Sequence, residues 1–496
     1  MMSAELYKVL ECPEMGRYGV ASRDLRAGEI AYEDTPFAVG PSVGSAPLCL
    51  ECACPVDGCA GGARCPRCGW PLCEECGAEI EASVYHKAEC ELFAKHGVKF
   101  QNVEDSSEAC VQLDCITPLR VLLAKEANPD RWNAEIVMME DHRAERDGNA
   151  FWKADQSNVV AFLRDSCGLK DRCSEELIQK VIGILDVNAF EAHTCSLRGL
   201  YPKMGIMAHS CVTNLAHTVH PSKGYRLIAR AAVDIEEGAM LCTTYTHLLA
   251  GTRTRQAELQ RTKYFTCQCK RCLDPTELGT HFSSMKCQKC DNGLVESTKP
   301  TDEEAEWKCT HCEHKLKGAL IAKAIQVMQA EIDELAYMEY GPERLESFER
   351  VFKKFRSVLH PLHFINTSIR HSLIELYGRI PGYMMQELPD ILLERKIELC
   401  KDILRVIDVF EPGKSRSRAM LLYELHAPIV VLAQSEFSQG SLGGEPLKKR
   451  LQEAVQLLEE CTEMLEWEDP TTPEGTLADV AKQSLVQLKR TVQVLP

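Results

Sequence analysis

Between Cys49 and Cys90 the chain carries eight metal-ligand side chains in four close pairs, and this spacing constrains the fold more than any other feature. The pairs are Cys49-x2-Cys52, Cys65-x2-Cys68, Cys73-x2-Cys76 and His86-x3-Cys90. Eight thiolate or imidazole donors are enough for two closed tetrahedral zinc sites. A segment of about forty residues cannot bury an adequate core alone, so the metal must supply its folding energy. Buried or redox-active thiols are the plainer alternative, but eight ligands at these spacings argue against it. Cys54 and Cys59 lie inside the same block as spare thiols, and either is able to replace one of the eight.

The setting favours metal over disulfides. Of the 26 cysteines, most fall in tight pairs between residues 49 and 312, with only Cys400 and Cys461 beyond. The opening MMSAELYKVLECPEM lacks a basic region followed by an apolar one, so no secretory signal is expected. No apolar run of eighteen or more residues exists, so no membrane span is expected either. An intracellular place, nucleus or cytoplasm, follows, where thiols stay reduced. Acidic residues outnumber basic ones, 73 to 57, for a net charge of −16. That balance is poorly suited to a phosphate backbone, so protein partners are expected rather than nucleic acid. A monomer is expected.

The pattern along the chain is α+β. Residues 1–48 read as short strands and turns, 49–90 as the finger, and 91–185 as mostly helical. Strand character returns over 186–250, where YRLIARAAV, the turn IEEG and AMLCTTY read as two strands and a connection. In 251–275, Cys267-x-Cys269-x2-Cys272 supplies three thiolates, one short of a tetrahedral site. In 276–316, Cys287-x2-Cys290 and Cys309-x2-Cys312 stand eighteen residues apart, a zinc-ribbon spacing around an acidic loop. The remainder, 317–496, is helical, with Leu320, Ala324, Met328, Ile332 and Leu335 on one face and Leu345, Phe348, Phe352, Phe355 and Leu359 on another. Further amphipathic runs cover 390–410, 416–436, 446–465 and 477–494, as in paired helices of the tetratricopeptide type or a plain bundle.

The order of the first cysteine block resembles the MYND zinc finger, a protein-interaction module commonly for proline-rich peptides. In that family the pairs alternate between ions. The resemblance assigns Cys49, Cys52, Cys73 and Cys76 to one zinc, and Cys65, Cys68, His86 and Cys90 to the other. The third pair departs from the family, with two intervening residues where three are usual. A MYND finger interrupting a strand-rich region is similar to the SET-and-MYND lysine methyltransferases. Three flanking motifs carry that likeness: VNAFEAHTCSLRGLYPKMGIMAHSCVTN at 187–214, IEEGAMLCTTYTHLL from 235, and YFTCQCKRC at 264–272. The ribbon looks like the arthropod-type branch.

The resemblance implies a split SET fold, S-adenosylmethionine as methyl donor, four zinc ions and methyl transfer to a lysine of a histone or another protein. It also implies a link to transcription regulation. Tyr245 takes the position of the active-site tyrosine, Phe265 that of the aromatic stacked on adenine, and Asn188 and Phe190 positions near the substrate-lysine channel. Cys211 is the implied fourth ligand of the Cys267, Cys269 and Cys272 site. Ala208 and His209 match the cofactor-binding Asn-His, with alanine in place of the amide. Arg17, Tyr18 and Gly19 align with the Gly-x-Gly cofactor loop, with Gly16 displaced by one. These two departures define a competing expectation: a weak or inactive SET scaffold of corepressor type, which recruits partners through the finger and helical tail.

Overall fold

Residues 6–13, 15–192 and 196–495 are described in the computed structural model, so positions 193–195 of the Asn-Ala-Phe motif segment lie outside the described residues. The chain forms two compact units and passes between them more than once. One comprises Met1–Ala31, Ala208–Ala216 and Ala229–Pro496, the other Tyr32–Met207 and His217–Ile228.

In the first unit, strands Tyr7–Cys12 and Gly16–Ala21 form an antiparallel hairpin with Tyr7 opposite Ala21 and Cys12 opposite Gly16. Gly16 sits at φ +66°, a left-handed conformation that costs a residue without Cβ little. The second hairpin strand bonds onward, its Gly19 carbonyl accepting from the Leu241 amide at 2.9 Å. Cys242–Thr243 then runs parallel to Ala208–His209. The predicted strand AMLCTTY is therefore much shorter than its apolar pattern suggests, with Tyr245 already beyond it.

Four short antiparallel strands in sequence order, Met285–Lys286, Leu294–Ser297, Trp307–Cys309 and Lys315–Leu316, make the ribbon. Seven helices follow among the described residues: Gly318–Ala336, Pro342–Phe355, Phe364–Leu376, Asp390–Phe410, Arg416–Ser438, Gly444–Leu465 and Pro473–Val494. Each packs chiefly on its neighbour in sequence, the arrangement of a helical stack. Ser415 and Thr472 cap two of them, accepting from the amides of Arg418 and Gly475 at 3.2 and 3.1 Å. One apolar core continues from Phe282 and Trp307 of the ribbon segment through Phe348, Ile369 and Leu458 to Leu488. The face of the first helix departs from the one read in the sequence only at its start: Ala324, Met328, Ile332 and Leu335 pack into the core with Ile321 and Ile325, while Leu320 is exposed. Both positions obey the helical period, and only packing chooses between neighbours one residue apart.

In the second unit, Leu197–Leu200 is the central strand between Ala38–Pro41 and Ala189–Glu191, both antiparallel to it. Helix Ile116–Ala127 lies against Ala38–Pro41 so closely that a Cβ on Gly40 would fall 2.5 Å from the Thr117 hydroxyl. Around it are helix Glu175–Asn188, several short irregular turns and the finger. Trp70 anchors the finger: its ring stacks on Phe93 at 4.4 Å, and its indole N–H donates to the Val98 carbonyl at 3.2 Å. Among the described residues no helix is long and apolar enough to cross a membrane.

Candidate active site and metal centres

Among the described residues, sixteen cysteine and histidine side chains gather into four groups, each with its ligand atoms within 4.8 Å of one another. Cys65, Cys68, His86 and Cys90 assemble as the resemblance implies, all buried, with Cys65–Cys90 sulfurs at 3.5 Å and Cys68 Sγ 3.3 Å from His86 Nε2. Cys211 joins Cys267, Cys269 and Cys272, and the ribbon thiols Cys287, Cys290, Cys309 and Cys312 form the fourth group. The remaining group brings together Cys49, Cys52, Cys73 and Cys54, and the Cys76 thiol meets the Cys73 and Cys52 sulfurs beside it. Four soft donors at this spacing fit a tetrahedral zinc ion in every group.

What orients these ligands was only partly visible in the sequence. His86 Nδ1 lies 2.9 Å from Glu89 Oε1, which leaves Nε2 for the metal. Arg120, from helix Ile116–Ala127, donates to both Glu89 oxygens at 2.8 Å, to the Val39 carbonyl at 2.8 Å and to the Leu50 carbonyl. Burial opposes ionisation of Glu89, but Arg120 and His86 outweigh it and hold its pKa below the ordinary carboxylate range. His86 and Glu89 are three apart on one helical face, a signal that was legible; Arg120 had none.

The second hidden network serves the Cys211 group. Arg255, fully buried on helix Thr252–Lys263, points Nε at Cys211 Sγ (3.2 Å) and Nη2 at Cys272 Sγ (3.4 Å). Four thiolates around one divalent ion carry a net negative charge, which a buried guanidinium offsets. Glu277 in turn accepts from Arg255 at 3.0 Å and Arg271 at 2.9 Å, and Arg271 lies 3.2 Å over the Phe410 ring. Gln256 clamps the loop from the side, bonding the Cys267 carbonyl at 2.8 Å and its amide at 3.0 Å.

This same unit brings most of the expected cofactor and catalytic residues together. The Leu241 backbone links Gly19 to Ala208, whose amide donates to the Leu241 carbonyl at 3.2 Å. Asn214 pins the adjoining strand, accepting from the Cys242 amide at 2.7 Å and donating to the Met240 carbonyl at 2.8 Å. Tyr245 is half-buried, with its amide donating to His209 Nδ1 at 3.0 Å and its ring centroid 5.3 Å from the imidazole. Phe265 meets the same imidazole edge-on, with ring centroids 5.8 Å apart. Because Nδ1 accepts, His209 carries its proton on Nε2 and donates it to Cys211 Sγ at 3.3 Å. Burial lowers the His209 pKa to about 4, so the ring is neutral at physiological pH. Burial likewise pushes the Tyr245 phenol above its ordinary range. His209 thus joins the metal group to Tyr245 through its ring nitrogens.

One placement differs from expectation. Arg17, Tyr18 and Gly19 are strand residues, not a loop, because Gly16 takes the turn conformation one position earlier. Asn188 and Phe190 belong to the other unit, and the Asn188 amide donates to the Ile184 and Glu140 carbonyls at 2.9 and 2.8 Å. Toward an adenosyl cofactor, the half-exposed rings of Tyr245, His209 and Phe265 beside the Gly19–Leu241–Ala208 edge suit a flat uncharged base, while position 208 offers no side-chain amide.

No protein-family model matches the chain. The SET domain-containing protein SmydA-8 of Drosophila melanogaster is similar to it. Isoform B is 31% identical over 337 residues, covering 64% of this chain and 69% of that one. Isoform A is 33% identical over 318 residues, with coverages of 62% and 65%. Human N-lysine methyltransferase SMYD2 is 25% identical over 274 residues, 52% of this chain and 58% of that protein. The match therefore spans just under two thirds of isoform A and less of the human enzyme. A crystal structure of the SET domain of LSMT bound to lysine and AdoHcy superposes with a TM-score of 0.26 at 12% identity, covering 99% of this chain and 89% of that one. That superposition is too loose to bear on the site.

Proposed function

The chain belongs to the SET-and-MYND family, in its arthropod-type branch, and from that premise we propose that it is a protein-lysine N-methyltransferase using S-adenosylmethionine. The observation that carries the reading is Tyr245, held by His209 onto the Cys211 metal group and flanked by Phe265. The donor supplies an electrophilic sulfonium-bound carbon. Tyr245 keeps its proton at neutral pH, so its hydroxyl orients an incoming neutral amine without charging it. His209 fixes where that hydroxyl stands, because Tyr245 follows the Cys242–Thr243 strand by only two residues. The ring cluster keeps water from one side of the reacting pair.

The substrate is a lysine of a histone or another protein, and the finger and helical stack serve as docking surfaces for protein or proline-rich segments. A scaffold with weak or absent transfer is the second reading, and Ala208 favours it, since a hydrogen bond of ~1–3 kcal/mol to the cofactor is missing there. Calorimetric titration of the purified chain with S-adenosylmethionine, followed by transfer assays on Tyr245→Phe, separates the two. Binding with transfer that disappears in Tyr245→Phe supports the enzyme. No heat and no transfer at any cofactor concentration would leave the scaffold.

A further inference from the structure

Within the first unit, a cavity of about 1030 Å³ lies between helix Gly318–Ala336, helix Phe364–Leu376, the ribbon and residues 247–257. Ala208, His209, Tyr245 and Phe265 take no part in its lining, so it is a separate place from the ring cluster of the candidate active site. Short side chains leave the space open. Helix Gly318–Ala336 contributes Ala322, Gln326, Gln329 and Ala330, which recur at helical spacing beside its core stripe. Gly251 lets the opposite wall close on Phe364, since a Cβ there would fall 2.7 Å from that ring.

The lining joins apolar surface to unused hydrogen-bonding groups. Leu249, Pro275, Ile325 and the Trp307 ring supply the apolar part. The side chains of Gln326, Ser368 and Ser372 bond nothing among the described residues, and the buried indole N–H of Trp307 has no acceptor there. Charge is one-sided. Of the lining carboxylates, Glu277 is buried and paired with Arg255 and Arg271. Asp274, Glu303 and Asp333 have no ion-pair partner among the described residues. Asp274 takes neutral donors from Thr276 and from the Leu278 amide at 2.8 Å, and Asp333 takes the Gln329 amide at 2.8 Å. Against them stands one guanidinium, that of Arg253, which donates to the Gly318 carbonyl at 3.3 Å.

We propose that this cavity docks an extended basic segment of a partner protein. Lysine or arginine heads of that segment meet Asp274, Glu303 and Asp333, and their aliphatic stems lie along the apolar lining. Its backbone amides and carbonyls pair with Gln326, Ser368 and Ser372. The volume stands at the top of the ~300–1,000 Å³ range of small-molecule pockets, which favours a length of chain over a compact ligand. The inference gives a place and a chemistry to the docking proposed for the helical stack, and it does not depend on methyl transfer.

The test uses the full zinc-loaded chain without cofactor, and the fluorescence anisotropy of labelled peptides of alternating Lys and Ala, Glu and Ala, or Ser and Ala. The Lys-Ala peptide alone should bind. Glu303→Gln combined with Asp333→Asn should weaken it roughly 2- to 30-fold, as the loss of two exposed charge pairs does. Ala330→Trp fills the cavity from an exposed helical position, so binding should disappear while zinc content and the unfolding midpoint stay as in wild type. No binding of the basic peptide, or equal binding of either other peptide, would overturn the proposal. Binding that survives Ala330→Trp would overturn it too, because the peptide then sits elsewhere on this acidic chain. Unchanged affinity in the charge variant would do the same. With no cofactor present, each of these outcomes leaves the transferase reading to its own assay.

Discussion

Replacing Arg120 by methionine should loosen the second zinc site of the finger without touching any of its ligands. Methionine keeps an unbranched apolar stem but not the guanidinium, so Glu89 loses both of its bonds and the Val39 and Leu50 carbonyls lose this donor. Glu89 has no solvent exposure to compensate. Breaking a buried ion pair by removing one partner costs ~3–5 kcal/mol. Losing an outer-shell partner typically lowers metal affinity ~10–100-fold, or ~1.4–2.8 kcal/mol. The metal therefore accounts for the smaller share, and the rest should appear as lost finger stability. Chelator-driven zinc release, followed with a chromogenic indicator, should show one ion leaving faster, and thermal unfolding should begin earlier. Arg120→Lys, which keeps the charge but not the four-way reach, should fall between. Glu89→Met combined with Arg120→Met should cost less than the two single changes added, since neither charge is then left unpaired. Unchanged release together with an unfolding midpoint within ~0.5 kcal/mol of wild type would refute the argument.

Metal analysis of the chain should give four zinc equivalents, and Gly293→Ala should reduce this to three, because a Cβ there would lie 2.2 Å from Cys309 Sγ and 2.8 Å from Cys290 Sγ. Retention of the fourth ion would show that the ribbon yields more readily than its packing implies. Asp34 is buried and accepts from the Lys203 and Met204 amides at 2.7 and 2.9 Å, and burial raises its pKa to about 6. The folded state then binds the extra proton between about pH 4 and 6, so this group's contribution makes stability fall as pH rises through that window. Asp34→Asn keeps an acceptor without the charge, and its advantage over wild type in chemical denaturation should grow from pH 4 to pH 7, to at most ~3 kcal/mol; an advantage independent of pH would sink this. Ala208→Asn should tighten S-adenosylmethionine binding by ~1–3 kcal/mol in calorimetry, and no change would mean that position 208 does not face the cofactor.

The sequence by itself determined the parts whose rules are local. Ligand spacing carried the finger, the three-thiolate loop and the ribbon, because a metal tolerates few arrangements and chelating pairs sit close in the chain. Helical periodicity placed the runs at 390–410 and 416–436 within a few residues of their helices. Motif order brought Cys211 to Cys267, Cys269 and Cys272, and Tyr245 to Phe265 and His209. Tertiary structure decided what depends on partners distant in the chain or on one residue of register. Arg120 reaches Glu89 from 31 positions away and Arg255 reaches Cys211 from 44, and nothing in the flanking residues marks either one. Leu320 and Ile321 fit the helical period equally well, and only the neighbouring helices select which is buried. At the first site of the finger, spacing likewise counts the available thiols, but only the fold sets how closely Cys54 and Cys76 each approach Cys52 and Cys73.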